Sequence, residues 1–150
     1  MRLDAPMVLV VDDDEHIRDL LRTRLELAGL RTVSAADGIE AMSALSSHRP
    51  AAMLLDVSMP RMDGFQMLEA LKRTRRPPPP TLMLTARNAA DDVRRAISLG
   101  AKDYLAKPFN DQLLLRRVHR LLRTPGADAP PPAQPSEQPP EQPRRDELFL

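Results

Sequence analysis

The sequence predicts an α/β protein built on a doubly wound, five-stranded parallel sheet with five helices on its two faces. Residues 7–123 alternate short apolar runs with longer segments of helical period, which is the pattern of a parallel sheet covered by helices. Five strands and five helices follow one another in strict alternation. In folds of this kind, ligands bind at the carboxyl ends of the strands, beside the switch in strand order.

Each element has its own signal in the sequence. Strands are expected where apolar residues run together, at 7–12, 31–35, 51–56, 80–85 and 102–106. In the first helix, the apolar residues at three- and four-residue intervals are Ile17, Leu20, Leu21, Leu25 and Ala28. Gly29 stands at the expected C-cap of this helix. The same signals predict the other helices near 38–47, 64–75, 89–100 and 111–123. Residues 73–80 are interpreted as an exposed, stiff connector.

Composition excludes several classes of function. The chain has 150 residues, of which 3% are aromatic, with a formal net charge of +1 and no cysteine. This length suits a single domain. The few aromatic residues argue against base stacking, and the small net charge provides no global field for nucleic acid or membrane, so any electrostatic function must be local. Without cysteine there is no disulfide, thiolate metal site or thiol nucleophile.

Both ends of the chain are predicted to lie outside the domain. Residues 1–6 form a short N-terminal extension, and the apolar run after them is far too short for a signal peptide or a membrane span. We therefore expect a cytoplasmic protein with no membrane partner. Residues 124–150 hold eight of the sixteen prolines and a net charge of −3, which predicts a disordered linker or tail. Its last residues, ELFL, are interpreted as the start of a missing output domain.

Polar side chains stand at the predicted strand ends, on one edge of the sheet. Asp12 and Asp13 end the first strand, Asp56 the third and Thr85 the fourth, while Lys107 follows the fifth. Each aspartate alone is as well explained by a turn or a helix cap. Three converging carboxylates repel one another and need a cation, for which Mg²⁺ is the simplest candidate.

Lys107 and Thr85 add groups suited to phosphate. Lys107 directly precedes Pro108, whose ring constrains the backbone, and an ammonium group facing carboxylates and a metal suits phosphate binding. Thr85 has two interpretations. It is either a β-branched strand residue or a hydroxyl donor to a phosphoryl oxygen.

Four segments carry a resemblance to a known family. VLVVDDDEHIR, LLDVSMPRMDG, LMLTAR and GAKDYLAKPF follow one another in the order and spacing of the receiver domain of bacterial two-component response regulators. The resemblance covers residues 7–123 and implies a flavodoxin-like sheet with strand order 2-1-3-4-5. It also implies a sensor histidine kinase as partner.

The resemblance assigns a role to each matching residue. It makes Asp56 the phosphoacceptor and Asp12 and Asp13 the acidic pair that positions Mg²⁺. Asp13, Asp56 and the backbone carbonyl of Ser58 become the protein ligands of the metal. Lys107 is implied to pair with Asp56 and then with its phosphoryl group.

Other matching positions imply a switch. Thr85 is expected to hydrogen-bond the phosphoryl group, while Tyr104 matches the aromatic residue that moves inward with it. A cis peptide bond is implied between Lys107 and Pro108. The signal is then read on the face formed by the fourth helix, fifth strand and fifth helix. As a hypothesis, Ser58 and Arg87 set the lifetime of the phosphoryl group.

Three questions of output stay open at this stage. A homodimer through the fourth-helix to fifth-helix face is one interpretation: Asp103 and Arg117 match one ion pair of that interface, whereas apolar Val93 and Leu113 replace another. Binding to DNA is expected only through a missing C-terminal domain. Alternatives are a stand-alone receiver that binds another protein and a phosphorylation-independent binding module. A phosphatase of the haloacid dehalogenase type is disfavoured because His16 stands where its motif needs Thr or Val.

Overall fold

The structure, a computed structural model, describes residues 4–86 and 90–123. Its strands are β1 (Met7–Val11), β2 (Arg31–Ala35), β3 (Ala52–Asp56), β4 (Thr81–Thr85) and β5 (Asp103–Ala106). Its helices are α1 (Glu15–Leu27), α2 (Gly38–Ser47), α3 (Gly64–Arg73), α4 (Ala90–Ser98) and α5 (Asp111–Leu122). Every predicted element is present, and no end differs from its predicted position by more than two residues.

The strands form one parallel sheet in the order β2-β1-β3-β4-β5. The predicted fold class and strand order are therefore confirmed. Because every connection passes through a helix, all strands end at the same edge of the sheet and every helix begins there. The order reverses at β1, which lies between β2 and β3.

Alternate residues of the strands fill two apolar layers, one on each face of the sheet. The layer under α2, α3 and α4 contains Leu9, Met53, Leu55, Met83 and the fully buried Phe65. The layer under α1 and α5 contains Val8, Val10, Leu54, Leu82 and Leu84. Since β3 and β4 are buried along their whole length, they read as continuous apolar runs, as central parallel strands do.

Short polar residues begin the helices at the carboxyl edge. Asp14, Asp37, Asp63 and Asn110 are N-caps whose side chains accept hydrogen bonds from backbone N–H groups of the first turn. Asp63 and Gln66 form a reciprocal capping box. At the other end of α1, Gly29 follows the last turn with a φ of +91°, the conformation that glycine adopts most easily.

Some of the predictions concern residues that the structure does not describe, including most of those for the two ends of the chain. Ala5 is buried, and its carbonyl accepts a hydrogen bond from Arg31 Nε at 2.9 Å, so residues 4–6 pack against β2. The predicted proline-rich tail at 124–150 and Arg87 lie outside the described part of the chain. Within the described ranges, none of the helices combines the length and the apolar character that crossing a membrane requires.

Candidate functional site

The carboxyl edge of the sheet brings the predicted polar residues together. Asp12 follows β1, while Asp56 and Thr85 are the last residues of β3 and β4. Lys107 comes directly after β5. Because β1, β3, β4 and β5 are consecutive in the sheet, their ends place these side chains around one cleft.

Three carboxylates form the acidic part of this cleft. One carboxylate oxygen from each of Asp12, Asp13 and Asp56 lies within 4.8 Å of the other two. Asp12 and Asp56 are only 1% and 6% exposed, whereas Asp13 is exposed to solvent. Oxygen donors at this spacing, with one side open to water, suit a hard divalent cation that keeps several waters. The donor set therefore fits a metal ion.

Lys107 is the cation that faces these carboxylates. Its Nζ donates a hydrogen bond to Asp12 Oδ2 at 3.1 Å and lies 3.6 Å from Asp56 Oδ2. The Lys107 backbone N–H donates to the carbonyl of Thr85 at 2.9 Å. A cis peptide bond joins Lys107 to Pro108. One lysine offsets only part of the charge of three carboxylates, which leaves the cleft acidic.

The environment of Asp56 differs from that of an ordinary surface aspartate. Burial raises its pKa from 3.8 to about 6. The positive charge of Lys107 and the hydrogen bond from the Ser58 N–H both lower this pKa. The negative charges of Asp12 and Asp13 both raise it. The Ser58 N–H lies 3.4 Å from Asp56 Oδ1. Ionised Asp56 is thus a desolvated carboxylate that a cation or a lysine stabilises.

Two hydrogen bonds hold Asp12 in place. The N–H of Asp14 donates to Asp12 Oδ1 at 2.9 Å, and Arg18 Nη1 donates to the carbonyl of Asp12 at 2.8 Å. Asp14, two residues after Asp12, is the N-cap of α1. The turn after β1 therefore aims Asp12 at Lys107 and leaves Asp13 at the mouth of the cleft.

The loop between β3 and α3 packs closely under Asp56, which the sequence analysis did not predict. An ideal Cβ placed on Gly64 would lie 2.6 Å from the carbonyl oxygen of Asp56, so only glycine fits without displacing the backbone. The Gly64 N–H donates to the carbonyl of Val57 at 2.9 Å. The Asp-Gly pair at 63–64 was the available signal, because it places a glycine at the first turn of a helix directly after the site loop.

A second unpredicted contact ties the same loop to α2. Arg61 has a left-handed backbone with φ 67° and forms an ion pair with Asp37, the buried N-cap of α2. The Met62 side chain fills the space beside Gly38. A Cβ added to Gly38 would lie 2.7 Å from Met62 Cγ. These contacts fix the loop that carries Ser58.

Thr85 and Tyr104 lie on the same face of the sheet. Met83 is paired with Tyr104 and Thr85 with Ala106, so the two polar residues are diagonal neighbours with side chains on one side. Thr85 is 1% exposed. Tyr104 is half-buried and packs against the apolar layer under α2, α3 and α4, which is the position from which an inward movement would reach that layer.

The cleft itself has a volume of about 260 Å³. Its wall includes Asp13, Asp56, Ser58, Thr85 and Lys107. A water molecule occupies about 30 Å³ of liquid, so the cleft has room for a hydrated cation and a phosphoryl group together. The small side chain of Ala86 also lines it.

The outer face of β5 and α5 carries a three-residue ion cluster. Asp103 accepts hydrogen bonds from Arg117 Nη1 at 2.9 Å and from Arg120 Nη2 at 2.8 Å. Burial alone would raise the pKa of Asp103, but these arginines and the Tyr104 N–H hold it below 3.8. Nearby, Val93 of α4 and Leu113 of α5 are half-buried. In the single chain, Asp103 and Arg117 therefore pair with each other.

Comparison with families and curated proteins gives a consistent result. Residues 8–119 match the family model of the response regulator receiver domain. Response regulator MprA of Mycobacterium sp. strain KMS is 41% identical over 124 residues, which are 83% of this chain and 54% of that protein. MprA of Mycobacterium avium strain 104 is 43% identical over 116 residues, 77% of this chain and 50% of that protein. The chain spans about half the length of these relatives.

Solved structures with the same fold include two close in size to the described domain. Chemotaxis protein CheY4 of Vibrio cholerae superposes with a TM-score of 0.73 at 34% identity, covering 78% of this chain and 98% of that one. The receiver domain of Francisella response regulator 1452 gives a TM-score of 0.74 at 32% identity, covering 79% and 97%. These matches remove the phosphatase alternative.

Proposed function

The chain belongs to the response regulator receiver domain family, and on that basis we propose that it accepts a phosphoryl group from a sensor histidine kinase on Asp56. The observation that carries this proposal is the meeting of three carboxylates with one lysine in a single cleft. Asp56 is the member of this group that lies between the other two carboxylates and the lysine in the sheet order, at the end of the central strand β3. Such an arrangement suits a nucleophilic carboxylate and its counter-charges.

The reaction uses Asp56 in its ionised form. A carboxylate oxygen of Asp56 forms a bond to phosphorus while the bond from phosphorus to the donor's imidazole nitrogen breaks. The electron pair of the broken bond stays on that nitrogen, which can take up a proton. The chain's contribution is position and charge, because phosphoryl transfer needs little other covalent chemistry from the protein.

Lys107 provides a positive charge beside Asp56 during the transfer. Its Nζ already lies 3.6 Å from Asp56 Oδ2, so it is within reach of an oxygen on the incoming phosphoryl group. An ammonium group there offsets part of the charge of about −1.5 to −2 that the phosphoryl group carries. The buried Asp12 keeps Lys107 in place through the 3.1 Å hydrogen bond.

The acidic residues would hold Mg²⁺. Asp13, Asp56 and the Ser58 carbonyl are the proposed protein ligands, with Asp12 beside them. When bound, the ion neutralises charge on the phosphoryl oxygens and orients them. The close packing of Gly64 and the ion pair between Arg61 and Asp37 support the loop that carries Ser58.

The output of phosphorylation is proposed to reach the face formed by α4, β5 and α5. Thr85 would donate a hydrogen bond to the phosphoryl group, and the inward movement of Tyr104 would follow. That movement would change the surface beside Asp103, where a second copy of the chain is proposed to bind. Because the chain spans half the length of its curated relatives, we propose that a C-terminal DNA-binding domain controls transcription in the cytoplasm.

The test is intact-mass measurement after incubation with a small phosphodonor, with and without Mg²⁺. We expect a Mg²⁺-dependent phosphoryl adduct on the wild type and none on Asp56→Asn. The matched control is Asp63→Asn, seven residues away, because asparagine also caps a helix well. It should form the adduct as the wild type does.

Other outcomes favour the alternatives. A folded wild type without an adduct, with or without Mg²⁺, contradicts phosphorylation and supports a phosphorylation-independent binding module. An adduct without any change of sedimentation in the phosphorylated chain contradicts the homodimer and favours a stand-alone receiver that binds another protein.

A further inference from the structure

The edge of the sheet opposite the cleft carries a cluster of positive charge around the starts of β3, β4 and β5, while the acidic residue Asp4 lies at the same edge before β1. Four segments at this edge, 48–51, 72–80, 99–102 and 122–123, contain seven lysines and arginines and no aspartate or glutamate, although the whole chain has 22 basic and 21 acidic residues. All seven side chains are exposed. They are Arg49, Lys72, Arg73, Arg75, Arg76, Lys102 and Arg123. We call this surface the basic edge.

The fold holds these segments side by side. The first three segments lead into β3, β4 and β5, which are neighbours in the sheet, while the fourth ends α5 at the same edge. Arg76 Nη2 donates to the carbonyl of Leu45 in α2 at 3.1 Å, and the Lys102 N–H donates to the carbonyl of Thr81 at 2.9 Å. Residues 73–80 are therefore part of a continuous surface and more than a connector.

Helix dipoles explain only part of this charge. Cations are favoured in the last turn of a helix, and the effect falls off within that turn. Lys72 and Arg73 lie in the last turn of α3. Arg76 donates to the Leu45 carbonyl in the last turn of α2, so a helix C-terminus accounts for it as well. Arg49, Arg75 and Lys102 lie beyond the ends of α2, α3 and α4, and the dipoles do not account for these three.

Arg75 is an arginine at a position that favours glycine. It follows α3 with φ 60°, and its N–H donates to the carbonyl of Lys72 at 3.2 Å. After α1 and α4 the corresponding left-handed residues are Gly29 and Gly100. A non-glycine residue in this conformation costs about 1 kcal/mol. An arginine kept in a conformation that favours glycine indicates a functional use of its side chain.

We propose that the basic edge binds the sugar–phosphate backbone of a nucleic acid. Five of its seven cations are arginines, whose guanidinium groups donate two parallel hydrogen bonds to phosphate. A membrane surface fits less well, since anchoring at an interface uses apolar side chains. The four segments contain none of the large exposed hydrophobic residues of the described chain, which are Leu20, Leu27, Ile39 and Ile97. Leu27 and Ile97 lie in the last turns of α1 and α4 at this edge, but these helices pack on opposite faces of the sheet and so present no joint apolar patch.

The proposed site is independent of Asp56. The strands are five residues long or shorter, so the basic edge lies roughly 15 Å from the cleft. A nucleic acid can therefore bind while Asp56 is phosphorylated or not. The test is made on the unphosphorylated full chain, so its failure leaves the proposed phosphoacceptor function untouched.

The experiment measures binding of the full chain to a duplex of about 20 bp by fluorescence anisotropy, between about 50 and 200 mM salt. The wild type should lose affinity linearly on a log–log plot against salt. The triple variant Arg49→Gln, Arg73→Gln, Arg75→Gly should bind at least about tenfold more weakly at the lower salt, with a slope smaller by roughly 2 to 3.

Single variants separate binding from folding. Arg75→Gly removes one charge and the left-handed strain together, so we expect a slope smaller by about 1 and a urea midpoint equal to or above that of the wild type. The control is Arg116→Gln on α5, an exposed arginine outside the basic edge, which should leave binding unchanged.

Three results overturn the proposal. One is a wild type that does not bind the duplex at about 50 mM salt. Another is an equal loss of affinity in Arg75→Gly and Arg116→Gln, which indicates a diffuse effect of net charge. The third is binding to vesicles rich in phosphatidylserine without binding to DNA, which assigns the edge to a membrane surface.

Discussion

Replacing Asp56 by asparagine should stabilise the metal-free protein at neutral and alkaline pH. Burial raises the pKa of Asp56 from 3.8 to about 6, and the side chain is only 8% exposed, so solvent screens it little. A shift of about 2 pKa units corresponds to about 3 kcal/mol. Asparagine keeps an oxygen that can accept from the Ser58 N–H but carries no charge.

The sign follows from proton binding in the two states. Below pH 3.8 both the folded and the unfolded chain hold the proton on Asp56, and the carboxyl group adds no pH dependence. Between pH 3.8 and about 6 the folded state binds more protons, so the free energy of unfolding falls as the pH rises. The loss is complete above that range. The variant should therefore gain about 3 kcal/mol at about pH 8 and roughly half of that at about pH 5.

The assay is urea unfolding in the presence of a chelator at both pH values, followed by circular dichroism. Asp63→Asn serves as the control and should show no comparable gain. Mg²⁺ in excess should stabilise the wild type and leave Asp56→Asn almost unchanged, because the variant lacks one ligand. Equal stability of wild type and variant at about pH 8, or a gain that is the same at both pH values, refutes the reasoning.

Three further predictions concern neighbouring residues. Lys107→Gln leaves two buried carboxylates without their cation. The fraction of chain that carries a phosphoryl adduct on Asp56, measured by intact mass, should therefore fall strongly. The free energy of unfolding of the metal-free protein, measured in urea, should drop by roughly 2 kcal/mol. Asp103→Asn should lower the free energy of unfolding by about 1 kcal/mol at neutral pH. Because the folded pKa of Asp103 is below 3.8, this difference from the wild type should shrink as the pH falls below that value. A difference that does not depend on pH contradicts the role of its two arginines. Gly64→Ala should lower the free energy of unfolding by about 3 kcal/mol, because the new Cβ meets backbone atoms. Gly38→Ala, which also directly follows an aspartate cap, should lower it less, because its new Cβ meets only a flexible methionine side chain. A lower melting temperature for Gly38→Ala than for Gly64→Ala, measured by calorimetry, contradicts this.

Much of the fold could be predicted because each element carries a local signal. Strands β3 and β4 read as apolar runs since both faces of a central parallel strand are buried. The end of α1 was recognisable at Gly29 because glycine readily adopts the left-handed backbone that follows the last turn of a helix. The site was predictable for a related reason: in a parallel sheet, the residues that follow the strands share one edge.

Contacts between distant residues were not predictable in this way. The approach of Gly64 to the Asp56 carbonyl depends on the path of the loop after β3, and the ion pair between Arg61 and Asp37 joins that loop to another helix. The sequence shows these residues but does not show the distances. The basic edge is a similar case, since a net charge of +1 conceals a separation of charge that appears only when Arg49, Arg75 and Lys102 meet at one end of the sheet.

The amino-acid sequence by itself determined the fold class, the strand order through family resemblance, and the residues gathered at the carboxyl edge. Periodicity and capping are local properties, and parallel topology converts strand ends into a common site. The resemblance implied the pairing of Lys107 with Asp56, but only the tertiary structure decided that Lys107 also pairs with Asp12 and that Asp103 pairs with two arginines of α5 in the same chain. The physical reason is that burial and pairing set the pKa and reactivity of a carboxylate, and both depend on neighbours that lie up to 95 residues away in the chain.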